Sequence, residues 1–383
     1  MRRLLVNALS VTNPSGLHVL RGHLDRLADG LQGRVRLVVV CREDLEGLRA
    51  ELGSRADWEF APASTRGWFR RACWERANLA RLVQKHGACA YFTPSGIAAH
   101  PLGIPQIVFC QNPWALVPAA RRRRDAFKAW LQRRAYRRAM RMADAMVFLS
   151  RYLKEAYRRN AGCRERRGLV AYAGVDRPAP ARAAEGAGIP RQPAQIASVS
   201  VMAPHKNIEA LVRAFHAVRA QGHPEARLVL AGPWPDPAYE RWIRRLVGGL
   251  GLAGSVEFAG FVSRDRLDRL YAESRVFCLM SRCESFGIPA IEAQHYGTPV
   301  VSSSVCAIPE VCGGGGWFRD PDDVAGIAEA LRTLIEDEAE WKKLSALARE
   351  NAERFAGERV SKPLVDLVAG LVEGEAPQES DVP

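Results

Sequence analysis

The feature that most constrains this chain is a rhythm. Short runs that are apolar at every position, such as VRLVVVC at 35–41, alternate with longer stretches of helical periodicity. A strand that is apolar throughout is buried on both faces, and that environment is a parallel sheet with helices above and below it. In the first half the pattern predicts strands at 3–9, 35–41, 90–93, 106–110 and 145–149. The intervening helices fall at 17–30, 68–86 and 125–142. A Pro-, Ala- and Gly-rich stretch, RPAPARAAEGAGIP, interrupts the rhythm, as a linker or surface loop would. It then restarts, with strands at 195–201, 226–231, 256–259, 275–279 and 299–303 and helices between and after them. The reading is α/β: two doubly wound Rossmann-like domains facing across a cleft. They span 1–176 and 196–355, with a linker at 177–195, a helix at 356–373 packing back toward the first domain, and a disordered tail at 374–383. Ligands of such sheets bind outside the carboxyl ends of the strands.

Composition narrows the classes. The net charge is +13, but residues 1–180 carry 33 Lys and Arg against 14 Asp and Glu, while residues 181–383 carry 22 against 28. A basic half joined to a mildly acidic one implies an anionic partner for the first half. No apolar run reaches the roughly 18 residues of a membrane-spanning helix, and the N-terminal MRRLLVNALSVTNPSG is broken too soon for a signal peptide. The nine cysteines form no CxxC pair and no Cys/His cluster. They read as reduced thiols of a cytoplasmic protein without structural zinc. Cys283 has no histidine base in its sequence neighbourhood, which argues against a nucleophile. Gly249-x-Gly251-x-x-Gly254 follows a helix and precedes a strand, the reverse of a dinucleotide fingerprint, and reads as a turn. Gly313–Gly316 reads as a flexible connector. No metal-ligand spacing is present.

The stretch SRCESFGIPAIEAQHYGTPVVSSS at 281–304 carries the chemistry. It follows a strand, and Pro289 marks the first turn of a helix. N–H groups around Gly287 and Ile288 therefore sit at a helix N-terminus, where phosphate is favoured. Glu284 and Glu292 would repel phosphate. As charged acceptors they suit hydroxyl groups. A nucleotide sugar offers both, with sugar hydroxyls, a diphosphate and a ribose diol. Taken alone, the two glutamates also fit a helix cap and a surface position.

Ser281, Glu284, Phe286-Gly287, Glu292, Gly297-Thr298-Pro299-Val300 and Pro309-Glu310-Val311 occur in the order found in retaining glycosyltransferases of the GT4 type (glycosyl transferases group 1), which this region resembles. The resemblance extends through APHKN at 203–207 and RLVLAGP at 227–233, and in outline to NPSGLHV at 13–19. It implies a GT-B fold and a metal-independent retaining hexosyltransferase. The donor would be a GDP- or UDP-linked sugar, with no further cofactor, and mannose is the guess for the hexose. The acceptor would be a glycan or lipid-linked glycan of cell-surface polysaccharide assembly. It implies that Lys206 and Glu284 are catalytic and that Glu292 holds the ribose. Ser285, Phe286, Gly287 and Ile288 would line the donor, and Ser15 and Gly16 would approach the diphosphate. An arginine usual in the family five residues before the lysine is Val201 here, and Arg282 is the candidate substitute. Gln111 and Asn112 replace a usual histidine and would contact the acceptor or the sugar. Two other readings are a nucleotide-sugar epimerase on the same fold and a non-catalytic glycan- or polyanion-binding protein with a degenerate donor site.

The segment 121–141 has ten basic residues and one acid. On a helical wheel Phe127, Leu131, Ala135, Ala139 and Met142 form a stripe. Arg133, Arg134, Arg137, Arg138 and Arg141 lie opposite, with Trp130 among them. With Arg121, Arg122, Arg123 and Arg124, this face suits an anionic membrane surface, implying peripheral attachment on the inner face of the cell membrane. No nucleic-acid module accompanies the charge.

Overall fold

The computed structural model describes residues 1–11, 14–118, 125–175 and 189–374. Arg121–Arg124, most of the anticipated linker and the tail from 375 lie outside them. The chain forms two compact units. The first takes in the chain up to Leu116, a stretch ending at Gly174, and a return beginning at Gly357; the second runs from Val175 to Ala356.

The first unit holds a seven-stranded sheet. Its strands are β1 (Arg2–Asn7), β2 (Val35–Arg42), β3 (Ala56–Ala61), β4 (Ala90–Thr93), β5 (Gln106–Cys110), β6 (Ala145–Phe148) and β7 (Gly168–Val170). The order is β3-β2-β1-β4-β5-β6-β7, with every pairing parallel. Leu5, Val38 and Val40 pack on Leu79, Leu82 and Val83 of the helix Trp68–His86. The C-terminal helix Gly357–Glu373 lies along the helix Pro14–Gly30. There Gly30 faces Val365 so closely that an added Cβ would sit 2.8 Å from its Cγ1. His23 Nδ1 meets Ser361 Oγ at 3.2 Å in the same seam.

The second unit holds a six-stranded sheet. Its strands are β8 (Gln192–Val199), β9 (Arg227–Ala231), β10 (Val256–Gly260), β11 (Ser274–Leu279), β12 (Val300–Ser303) and β13 (Gly316–Arg319). The order β10-β9-β8-β11-β12-β13 is again all parallel. Side chains alternate between two cores as strand geometry requires. Ile196, Val276 and Cys278 face one, with Leu211, Phe215 and Leu331. Ala197, Phe277 and Leu279 face the other, with Leu270, Ala290 and Ala293. Each fully buried Leu, Ile or Phe side chain contributes about 1.5–3 kcal/mol.

Several elements escaped the sequence reading: β3, β7, β13 and the helices Glu46–Leu52, Arg151–Ala161 and Ile308–Cys312. The missed strands lie at sheet edges or are only half buried, so their residues are not apolar throughout. β8 starts at Gln192, inside the stretch expected to be linker. Gly313–Gly315 form a tight helical turn rather than a flexible connector. A Cβ on Gly315 would lie 2.4 Å from Ala348 Cα, so glycine is there for close packing.

His23 is 1% exposed and lies edge-on to Phe109, and burial lowers its pKa from 6.5 to about 4. A base whose pKa is depressed by folding is neutral in the folded chain. Its contribution is complete above the unfolded value and is lost as pH falls toward the folded one. We expect denaturant titrations to show the first unit losing about 2 kcal/mol between pH 7 and pH 5 from this group. His23→Phe should flatten that limb, and an unchanged acid limb in the variant would refute the assignment.

Candidate functional site

In the second sheet the strand order reverses between β8 and β11. The chain leaves β8 toward β9 and leaves β11 toward β12, so the two crossovers diverge and open a crevice at the carboxyl edge. Both loops there carry the residues singled out above. After β8 a single helical turn, Pro204–Lys206, ends at Asn207, whose left-handed φ of 55° is secured by Nδ2 donating to Pro321 O at 2.6 Å. After β11 runs the loop that holds Glu284. A backbone bond from Arg282 N to His205 O, 2.8 Å, ties the two loops together.

This tie places the Lys206 ammonium against Glu284 Oε2, with Ser281 Oγ 3.5 Å from the same oxygen. Both charged side chains are largely buried. Gly287, at φ 99°, caps the helix Ile288–His295, with Pro289 in its first turn. Phe286 is buried edge-on to Phe355, 5.4 Å between centroids. Ser285 and Ile288 are half-buried beside it.

Glu292 lies on that helix. Its Oε1 accepts from Arg264, and its Oε2 accepts from the Tyr271 hydroxyl at 2.8 Å. Arg264 also reaches Asp268 at 2.6 Å. Burial opposes the charge on Arg264, yet Glu292 and Asp268 together carry its pKa above the ordinary value. Burial pushes the Tyr271 hydroxyl far up, and Glu292 adds to the shift, so it is a donor at any working pH.

Arg282, the proposed substitute cation, is engaged. Its guanidinium bonds Glu209 at 3.0 Å and Asp322 at 2.6 Å. Glu209 in turn accepts from Tyr239 at 2.7 Å. Val201 is 40% exposed on the β8 loop. His205, Arg264 and Tyr271 were missed by the sequence reading. Burial, then the charge of Lys206, lowers the pKa of His205 to about 4, so its ring is neutral beside the ion pair. The only sequence signal for it was adjacency to Lys206. Among the described residues no group of three or more His, Cys, Asp or Glu side chains is arranged to hold a metal ion.

The first unit repeats the reversal between β1 and β4. Ser15 and Gly16 do not lie in a loop. The helix begins at Pro14, so both belong to its first turn, because proline fits an N-terminal helical position. Gln111 follows β5, and its Nε2 is buried with no partner among the described residues. Asn112 is spent locally, since its Oδ1 accepts from Trp114 N at 2.9 Å and starts a turn. Two features of this edge were not anticipated. Ser10 Oγ is buried with no partner among the described residues. Asn7 Nδ2 bonds both Glu75 and Tyr91 at 2.9 Å, and burial raises the pKa of Glu75.

The helix Ala126–Met142 docks differently from its wheel. The buried positions are Ala129, Tyr136, Ala139 and Met140, because Tyr136 stacks on Tyr157 at 4.6 Å and turns that side inward. Phe127, on the apolar stripe of the wheel, is 69% exposed and stacks on Trp130, itself 49% exposed. Arg134 and Arg137 are exposed, Arg133 is half-buried, and Arg137 Nε donates to Asn160 O at 2.8 Å.

The geometry makes one position decisive. A Cβ on Gly287 would meet Ile308 Cδ1 at 2.8 Å, at a φ that L residues resist. Gly287→Ala should lower stability by about 1–3 kcal/mol. A melting temperature equal to wild type would show that the loop relaxes freely.

Comparison with known proteins agrees with this architecture. Residues 22–177 match the model for Glycosyltransferase Family 4, and residues 182–355 match the model for Glycosyl transferases group 1. O-antigen chain mannosyltransferase B of Escherichia coli is 30% identical over 171 residues, which is 44% of this chain and 44% of that protein. The matches thus span less than half of such curated relatives. Among solved structures, sucrose-phosphate synthase from Thermosynechococcus elongatus superimposes with a TM-score of 0.77 at 19% identity, over 98% of this chain and 100% of that one. Anabaena HepE in complex with UDP gives 0.74 at 18%, over 97% and 100%. Two parallel sheets of the same order, the glutamate-bearing crossover after β11 and the paired family matches together show that the chain belongs to the GT4-type (group 1) glycosyltransferases of the GT-B fold.

Proposed function

We propose that this chain is a retaining, metal-independent hexosyltransferase that uses a GDP- or UDP-linked sugar. The observation that carries the reading is the Lys206–Glu284 pair held at the strand-order reversal beside the helix N-terminus at Gly287 and Ile288. In this reading the diphosphate rests on the backbone of Ser285, Phe286, Gly287 and Ile288. Lys206 turns from Glu284 to the phosphates, and the freed carboxylate accepts from sugar hydroxyls. Glu292 keeps Arg264 and Tyr271 on one side and accepts the ribose diol with its remaining lone pairs. Ser15 and Gly16 present a helix N-terminus to the diphosphate. Gln111, with an unused donor, contacts the sugar or acceptor, and Asn112 shapes that turn.

The bond from the anomeric carbon to the phosphate oxygen breaks, and the bond to the acceptor oxygen forms on the same face. The acceptor's proton passes to the departing phosphate. Lys206 stabilises the charge growing on that phosphate in a site where it is poorly screened. Mannose is the hexose we favour, given the mannosyltransferase relative, with a glycan or lipid-linked glycan of cell-surface polysaccharide assembly as acceptor.

Thermal shift with GDP, UDP and their sugars tests the donor site, since a ligand at 100 times its Kd adds about 2.7 kcal/mol. Nucleoside diphosphate release that requires an acceptor tests transfer. Lys206→Ala should lower kcat by about 10²–10³-fold. Glu292→Gln should chiefly raise the donor KM. An Arg282→Ala enzyme with unchanged turnover and donor KM would reduce Arg282 to a brace between Glu209 and Asp322. Absence of stabilisation by every nucleotide would overturn the reading.

We further propose that the protein is cytoplasmic and peripheral on the inner face of the membrane, with Phe127 and Trp130 at headgroup depth. Arg133, Arg134 and Arg137, together with Arg121, Arg122, Arg123 and Arg124, would supply charge, each worth about 1 kcal/mol on an anionic surface. In the described residues no helix is long and apolar enough to cross a membrane. Flotation with vesicles containing anionic lipid should recover the protein, and Phe127→Ala/Trp130→Ala should weaken recovery. Equal binding to neutral vesicles would refute the electrostatic contribution.

A further inference from the structure

Cys283 and Cys306 stand on two different loops that meet beside Glu284. Cys283 follows β11 in the loop tied to His205; Cys306 follows β12, just before the helix Ile308–Cys312. Cys306 holds a left-handed φ of 61°, a conformation that costs a non-glycine residue on the order of 1–3 kcal/mol. That conformation accompanies a thiol lying 4.0 Å from the carbonyl oxygen of Arg282, the peptide immediately before Cys283. The loops are also packed together at Gly287 and Ile308, where an added Cβ would clash.

We propose that Cys283 and Cys306 form an oxidation site, a thiol pair that a peroxide converts into a disulfide joining the two loops. The neighbouring Cys306, then burial, pushes the Cys283 thiol up and holds it in its protonated form. Cys306 is the more exposed of the two. It is the sulfur a peroxide reaches first. The Cys306 sulfur attacks one peroxide oxygen, the O–O bond breaks, and the thiol proton leaves with the departing oxygen as water, giving a sulfenic acid. Cys283 sulfur then attacks the Cys306 sulfur, the S–S bond forms, the S–O bond breaks, and a second water departs. Two electrons pass from the thiols to the peroxide. Cys41, Cys110, Cys278 and Cys312 are buried, with thiols that burial pushes upward.

The disulfide would fix the segment that carries Glu284, and that consequence rests on the proposed donor site; the cross-link itself does not. The test treats the full chain with hydrogen peroxide, alkylates the remaining thiols and maps peptides without reduction. The expected result is one linked peptide pair containing Cys283 and Cys306, a mass loss of about 2 Da, and recovery of both thiols with dithiothreitol. In Cys283→Ser the linked pair is absent, and Cys306 accumulates as sulfinic acid. Full alkylation of both cysteines after peroxide, or sulfinic acid at Cys306 in the wild type at the level seen in Cys283→Ser, would overturn the proposal. The readout is a mass, so it stands or falls separately from transferase activity.

Discussion

The reversal of strand order between β8 and β11 is the constraint on which the rest of the second unit depends. Parallel strands need long crossovers, and two crossovers that leave in opposite directions cannot both cover the strand ends between them. The uncovered edge is where polar loops can sit without filling the core. Its rigidity comes from strands buried on both faces, and its local precision from one backbone bond between Arg282 and His205. That bond brings two residues 78 positions apart, Lys206 and Glu284, into contact.

Charge at this edge is arranged in matched groups. Glu284 is met by Lys206, Glu292 by Arg264 and a tyrosine, and Arg282 by Glu209 and Asp322. An unpaired charge so largely buried would be costly, and pairing offsets that cost. The pairs also differ in their partners. Arg282 is shared by two carboxylates on separate segments, Glu209 and Asp322, whereas Lys206 is met by Glu284. The thiols of Cys283 and Cys306 abut the same loop, so the segment bearing Glu284 is held by an ion pair, a backbone bond and a sulfur contact.

Much of this was legible beforehand. The central strands were found because burial on both faces makes them apolar at every residue. The crossover from Ser281 to Glu292 was singled out by the order of motifs around it, which resembles the glycosyltransferase family; its two glutamates alone also fit a helix cap and a surface position. β3 was missed because an edge strand such as ADWEFA carries charge without penalty. The helix Ala126–Met142 was found but turned the wrong way. A wheel weighs Phe127 above Tyr136, yet the stacked partner Tyr157 comes from a different helix and decides which side is buried.

The sequence by itself determined the class of fold and the two repeats of the α/β rhythm, because periodicity and turn chemistry are local properties; the acidic crossover stood out only through the order of the motifs around it. Only the tertiary structure decided which partner each charge takes. Arg264 covers Glu292, Arg282 is held by Glu209 and Asp322, and the Cys306 thiol meets the carbonyl of Arg282, all across distant segments. Such pairings depend on sheet order and loop register, and no local pattern of residues records where two loops from different strands will meet.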